Sequence, residues 1–489
     1  MSQPLNILRY LLLIICSSMV FVGHGQQTMH EKYAQFKDEV KTEYSSFRDD
    51  CNKRYAQFLL TAWDWYDGNV PIPIPKDENP VPPKPYHKGK DRTPIVIHPI
   101  NVKPIENTPQ PKPIGPIKEQ SNPDEKYFSF GFYGNTCKVR MPEVANIKVA
   151  DCSPKSISNG WDKLCSAEMN NALRDCLEMR IRHNLCDWAY LAFLDVLSKN
   201  YCSNLNGATL LMAFMFCQSG YQMRLGVDGE TLVMLYGSKH QIYDKGYFLL
   251  DGLNFYPYGE HSISMSICNA AFDGESPLSL LILSEQKLGG NLSTHREIKS
   301  ERYADLNVQS CVPENLVKFY NQYPTSALDG NPMTRWAMYA NTPLAEKTKT
   351  LIYSFIKKSI DGLSAEMAAN KLLNWVQTGF VYEYDDKIWG HDRAFFAEES
   401  LYYPYCDCED RAILFSRLVR DFLDLDVALI YYPGHLATAV CFNEEVSGDA
   451  ISIDNRKFII CDPTYIGAPV GAQMPDLEYN KIQVLVLTR

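Results

Sequence analysis

YCDCEDRAILFSRLVRDFL (405–423), YYPGHLATAVCF (431–442) and KFIICDPTYIG (457–467) decide how the C-terminal part of this chain is read. After Cys408 the apolar residues Ala412, Phe415, Leu418, Val419 and Phe422 fall at helical spacing. Cys408 therefore stands at or just before a helix N-terminus, with Glu409 and Asp410 in the first turn. The next two stretches alternate or run apolar over strand lengths, with a polar loop from 443 to 456 between them. Paired as an antiparallel hairpin, they set His435, which opens the first strand, opposite Asp462, which closes the second. The two Cβ atoms would then lie about 5 Å apart.

A carboxylate beside an imidazole fixes the ring's tautomer and stabilises its cation. The other ring nitrogen is then free to meet a thiol arriving on the helix, which is the nucleophile–base–orienter pattern of covalent catalysis. An unperturbed cysteine has a pKa of about 8.5, so only a few per cent is thiolate at neutral pH. A helix N-terminus contributes ~0.3–1 kcal/mol, less than the ~1.4 kcal/mol of one pKa unit. Glu409 and Asp410 act against ionisation unless Arg411 or a capping bond engages them. An imidazolium partner is therefore needed, and in this half only His391 and His435 supply one.

The order DCED at a helix head, glycine-histidine opening a strand and DPT ending the next resembles the transglutaminase-like superfamily. That resemblance covers residues 345–470 and implies an α+β fold with a papain-like, cysteine-protease-type core, a helix packed on an antiparallel sheet. It implies Cys408 as nucleophile, His435 as general base and Asp462 as orienting acid. The chain departs from the family at Cys406, two residues before the nucleophile, which in an exported protein could form a silencing C-x-C disulfide. No upstream glutamine offers an obvious oxyanion donor either, which leaves the backbone N–H of Cys408. A zinc site from Cys406, Cys408, His435, Cys441 and Cys461 is the competing use of these residues. C-x-C with strand-embedded partners fits structural zinc spacing poorly, so no metal and no cofactor is expected. The aromatics Trp389, Tyr402, Tyr403, Tyr405, Tyr431 and Tyr432 would line a cleft or simply fill the core.

The middle of the chain repeats the pattern. Tyr201-Cys202 precedes Asn206, Gly207 and Ala208 as Tyr405-Cys406 precedes Asp410, Arg411 and Ala412, which puts Asn204 where Cys408 stands. A Lys245-Gly246 turn would set His240 opposite Asp251. Two tandem transglutaminase-like copies are expected, a degenerate one over 125–300 and a catalytic one over 301–489.

Upstream, Arg9, an apolar run from Tyr10 to Val22 and Gly23-His24-Gly25 read as a secretory signal over 1–25. Cys16 follows Ile15 and lacks the small residue that lipid attachment needs. Residues 28–67 form an amphipathic helix with an eleven-residue repeat. Tyr33, Tyr44 and Tyr55, then Phe36, Phe47 and Phe58, then Val40, Cys51 and Ala62 share one stripe, and helical self-association through 32–64 is the further use of that face. Residues 68–124 read as a linker, since 71–123 holds 15 of the 29 prolines. As extended polyproline such a spacer reaches on the order of 150 Å.

The net charge of -10 argues against a nucleic-acid partner, and no phosphate loop, HExxH or paired CxxC is present. Fifteen cysteines, fourteen after signal cleavage, are too few for a disulfide scaffold in 489 residues. Together these features predict a secreted or periplasmic thiol-dependent amide or peptide hydrolase, or acyl transferase, acting on a peptide or protein. No integral membrane segment is expected after cleavage. The rival reading is a binding or scaffold protein built on non-catalytic modules.

Overall fold

The computed structural model of the chain describes residues 48–76, 79–88, 93–97, 111–113, 117–120 and 126–487. The signal segment 1–25 and most of the repeat lie outside these residues. The fold is α+β, with helices packed on several antiparallel sheets.

Residues 48–61 are helical, as the repeat predicts. The buried face is Cys51, Asn52, Tyr55, Ala56 and Leu59, while Phe58 is 44% exposed. The stripe is thus rotated from the expected one, because Tyr55 enters a pocket of large rings. It meets Trp161 at 4.6 Å and Phe272 at 4.7 Å between ring centroids, a spacing at which aromatic pairs add ~0.5–1.5 kcal/mol beyond their area.

Two six-stranded sheets follow, each behind one long helix. In the first, helix Leu205–Gln218 lies on the hairpin Met223–Asp228/Thr231–Ser238. Leu253–Pro257 pairs with the hairpin's second strand, Phe248–Leu250 flanks it, and Ser264–Cys268 pairs with the hairpin's first strand. In the second, helix Cys408–Leu423 lies on Asp426–Tyr432/His435–Cys441. There Arg456–Cys461, Ala450–Ile453 and Gln483–Val486 take the corresponding three places. The order of these five strands is the same in both sheets, while the sixth, Trp63–Asp67 in the first and Val96–Ile97 in the second, is added at opposite edges. The loop expected over 443–456 therefore contains a strand, Ala450–Ile453, joined to the next by Asp454-Asn455. Both turn residues have positive φ, as a tight two-residue hairpin turn requires.

The helix Cys408–Leu423 is buried on every side from Cys408 to Arg420, not on the single face that its spacing suggests. The helices Met333–Asn341, Ala365–Thr378 and Ala397–Tyr402 cover the side away from the sheet. Two of its arginines are consequently directed to backbone carbonyls, Arg420 to Ser416 O at 3.1 Å and Arg411 to Gln377 O at 3.1 Å and Phe380 O at 2.9 Å, while Arg417 pairs with Asp421.

The boundary expected at 300/301 falls inside the hairpin Arg296–Lys299/Asn307–Ser310. Trp375 Nε1 donates to Ile298 O at 3.0 Å, so both strands belong with the C-terminal unit. The two units also share one continuous apolar core.

The proline-rich segment is not a free spacer where it is described. The helix expected to reach 67 ends at Thr61, and Trp63–Asp67 instead pairs as the edge of the first sheet, while Val96–Ile97, within the proline-rich segment, forms the edge of the second. Between them Asp244 N donates to Ile72 O at 2.8 Å, Val81 N to Gly434 O at 2.8 Å, and Lys84-Pro85 pairs with Tyr465-Ile466. Proline removes donors but leaves carbonyls, and this segment binds through those carbonyls and its few remaining N–H groups.

Gly434 shows how closely the strap sits. Its φ is +78°, and a Cβ there would lie 2.2 Å from Asn79 O. Gly434→Ala is expected to cost about 1–3 kcal/mol, the range for a side chain forced into the left-handed region, and to expose 79–88 to limited proteolysis. An unchanged melting temperature with the segment still protected would refute this contact.

Candidate active site

Asp407 is the N-cap of the Cys408 helix, and Cys408 is its first helical residue. The backbone N–H of Cys408 belongs to the first turn, where amides lack an intrahelical acceptor. Cys408 is 7% exposed. His435 opens its strand directly after the Pro433-Gly434 turn, where Tyr432 pairs with His435.

His435 Nε2 and Asp462 Oδ2 are 2.9 Å apart, and both side chains are buried. The other carboxylate oxygen accepts from Thr464 N at 2.9 Å and Tyr465 N at 3.3 Å. The expected pair is therefore formed, but its register differs. Thr438 pairs with Cys461 and Val440 with Ile459, and that ladder continued sets Asp462 beside Ala437, two residues from His435. The contact is diagonal, on one face of the sheet, and within reach of a long side chain.

The ring nitrogen turned away from Asp462, Nδ1, is buried and has no hydrogen-bond partner. Cys408 Sγ does not bond to it here; the thiol donates to Glu409 Oε2 at 3.1 Å. Burial first, then Glu409 and Asp407, push the Cys408 thiol well above its ordinary range. The backbone N–H of Leu436, the residue after His435, bonds the sulfur and acts in the opposite sense. The sulfur thus lies against the start of the His435 strand.

The remaining candidates separate cleanly. Cys406 and Cys408 are both free thiols, so the C-x-C disulfide is not formed. Cys406 is buried toward Arg411, and burial pushes its thiol up to about 11. Cys441, at the far end of the strand from His435, accepts from Arg456 at 3.3 Å, and Cys461 bonds to Ile459 O at 3.6 Å. The five candidate zinc ligands do not converge. His391 is exposed and bonds to Trp389 O at 3.1 Å. Trp389, Tyr403 and Tyr405 pack on one another, with Arg393 over the first two, and Tyr431 stacks on Trp336 at 5.5 Å.

The first unit departs most from expectation. His240 accepts from Leu280 N at 3.1 Å and contacts Ser326 Oγ at 3.3 Å, and burial lowers its pKa to about 3. Asp251 sits in the Asp251-Gly252 turn at φ +50° and holds Asn269. They are not a pair, because the hairpin turns at 251–252 instead of at Lys245-Gly246. Asn204 is the N-cap, accepting from Gly207 N at 2.8 Å. It matches Asp407, and the 73% exposed Leu205 matches Cys408. By strand register Thr231 occupies the place of His435 and Gly259 that of Asp462. None of the three chemical groups recurs there.

Sequence reasoning missed the acidic side of the site. A cavity of about 500 Å³ beside Cys408 is lined by Tyr382, Tyr384, Asp385, Asp392, Asp407 and Glu409 among others. The signal was present in YEYDDKIWGHDR (382–393), where acids and aromatics alternate densely. Arg335 pairs with Asp392 at 2.8 Å. Burial, then Glu409, pushes Asp385 up to about 8, and burial also raises Asp407, Glu409 and Asp410. Oxygens of Asp385, Asp392 and Glu409 lie within 4.8 Å of one another, as do ligand atoms of Asp407, Cys408 and Glu409. These are the groups able to hold a cation.

Two outcomes follow from this charge arrangement. Replacing Glu409 by Gln removes the anion nearest the sulfur, so alkylation of Cys408 by iodoacetamide at pH 8 should accelerate several-fold; an unchanged or slower rate contradicts the assigned cause. Asp385 holds its proton in the fold to about pH 8 and releases it near pH ~3.9 when unfolded. The folded state therefore loses stability as pH rises between those values. Asp385→Asn should melt with wild type near pH 4 and above it at pH 8.5; a pH-independent difference contradicts the shift.

No protein-family model, no curated protein and no solved structure matches this chain.

Proposed function

We propose that this protein is an exported thiol-dependent amide or peptide hydrolase, or acyl transferase, working through Cys408, His435 and Asp462. The observation that carries the reading is the buried His435–Asp462 pair, whose free ring nitrogen Nδ1 is unpartnered. A buried nitrogen without a partner is costly unless it serves a function, and an unprotonated Nδ1 is an acceptor for a thiol proton. In the proposed reaction Sγ leaves Glu409, gives its proton to Nδ1 and attacks the substrate carbonyl. The oxyanion lies toward the helix-tip N–H of Cys408. His435 then protonates the leaving amine, and water or an acceptor amine cleaves the thioester. Asp462 holds the ring and stabilises its cation throughout. Hydrolysis is favoured, since water is abundant.

The shared order of five strands behind two long helices supports a papain- or transglutaminase-like core in tandem, the first copy having lost all three catalytic groups. Among the described residues no helix is long and apolar enough to cross a membrane. Secretion or periplasmic export rests on residues 1–25 and self-association on 32–64, as sequence readings only.

A second reading has its own observation: burial and acidic neighbours keep the Cys408 thiol protonated, which suits a non-catalytic binding module. Turnover of a casein or a peptide library by the mature protein decides between them. Cys408→Ala, His435→Ala and Asp462→Asn should each lose on the order of 10⁴-fold in kcat, with folding unchanged for Cys408→Ala. Turnover that survives Cys408→Ala removes this thiol from the reaction, and none in wild type together with slow Cys408 alkylation that His435→Ala leaves unaltered establishes the scaffold.

A further inference from the structure

The cavity beside Cys408 holds more carboxyl groups than its own cations pair with, and with no cation beside them burial favours their protonated forms. Asp385, Asp386, Asp392, Asp407 and Glu409 all line it. Asp392 pairs with Arg335 and Asp386 with Lys76. The other lining lysine, Lys387, turns outward to Glu383. Among the described residues no lysine or arginine comes within ion-pair distance of Asp385, Asp407 or Glu409, and Arg335 acts on Asp385 and Glu409 only from beyond its own pair with Asp392.

A second observation is independent of that count. Asp407 is only 7% exposed, lines the cavity, and its Oδ1 has no hydrogen-bond partner. Such an oxygen normally has a donor. The aromatic wall points the same way. Tyr382 and Tyr384 stand edge to face, at 88° and 5.4 Å between centroids, and the Arg411 guanidinium lies 5.3 Å from the Tyr382 centroid, the contact a ring face makes with a cation. Finally, the strap lays Lys76 at the rim against Asp386, so the chain itself already brings one ammonium group to this opening.

We infer that this cavity is a cation subsite: Asp385, Asp407 and Glu409, with Tyr382 and Tyr384, take a lysine or arginine side chain of the peptide whose amide Cys408 attacks. The inference rests on the proposed function of Cys408. A ligand ammonium at Glu409 also draws that carboxylate's charge away from the thiol, so binding and activation of the nucleophile coincide.

The test reads charge selection at the sulfur without requiring turnover. Wild-type protein in EDTA at pH 9, where Asp385 has released its proton, is treated with 2-(trimethylammonio)ethyl or 2-sulfonatoethyl methanethiosulfonate, and modification of Cys408 is timed by peptide mapping. In both reactions the thiolate attacks the sulfenyl sulfur, forming a mixed disulfide and releasing methanesulfinate. Each rate is normalised to the same reagent with glutathione. The cationic reagent should be favoured by about tenfold or more, the lower end of what a charged cleft does to a local ion. The preference should shrink several-fold in 0.5 M NaCl and in Asp385→Asn. The exposed rim variant Asp386→Asn reports the same direction should Asp385→Asn fold poorly. A normalised ratio at or below one, a ratio insensitive to both salt and substitution, or a Cys408 that reacts with neither reagent overturns the subsite. If the preference is lost while His435-dependent turnover remains, the subsite alone fails. If it is present without turnover, the catalytic reading alone fails.

Discussion

The site depends on one hydrogen bond, between His435 Nε2 and Asp462 Oδ2. Both groups are withdrawn from water, so the carboxylate must find its donors within the protein. It has three, from the imidazole and from the amides of Thr464 and Tyr465, while Gln377 holds the Asp462 carbonyl at 3.0 Å. With the carboxylate immobilised, the ring has one orientation, and Nδ1 is left facing away from it. Removing one partner of such a buried pair typically costs ~3–5 kcal/mol, because the other remains uncompensated. The geometry of the base is therefore a consequence of how the end of the Arg456–Cys461 strand satisfies its backbone and its acid.

Against this base stands a thiol in an acidic neighbourhood. Glu409, directly after Cys408, has no other course than to enter the cavity, since its helix is buried on every side from its first residue. A helix tip contributes less than one pKa unit, and nearby carboxylates oppose it. Asp410 is occupied by the amides of Phe395 and Asp407 at 2.7 and 3.2 Å, and Arg411 is directed to the carbonyls of Gln377 and Phe380. The thiol's ionisation is thus governed by whatever neutralises Glu409 and Asp407, which makes a charged ligand and a reactive nucleophile parts of one balance.

The segment before residue 126 has a structural role beyond joining elements. It adds an edge strand to each sheet and runs past the opening at Gly434 in between. Edge strands leave unpaired amides and carbonyls that invite further pairing, and the strap covers one such edge in each unit. Stability of the two sheets and access to the cavity are consequently linked through the same stretch of chain.

Much of this was legible beforehand. Helical spacing placed Cys408 at a helix head, apolar runs placed His435 and Asp462 at strand ends, and the pairing of the latter two needed only antiparallel neighbours. Those are local features, set by periodicity and by which residues end an element. Four things were decided only by packing in three dimensions. The register moved Asp462 by two residues, since a strand hidden in the 443–456 loop sets where the last strand lies. His240 and Asp251 separated because Asp251-Gly252, with positive φ at both residues, outcompetes Lys245-Gly246 as a turn. The proline-rich stretch docked instead of standing free, because carbonyls that proline spares still accept hydrogen bonds. The acidic cavity formed from residues 382–409 folding back on one another. Spacing along the chain carries no information about which charges will be enclosed together; burial does that, and burial is a property of the whole fold.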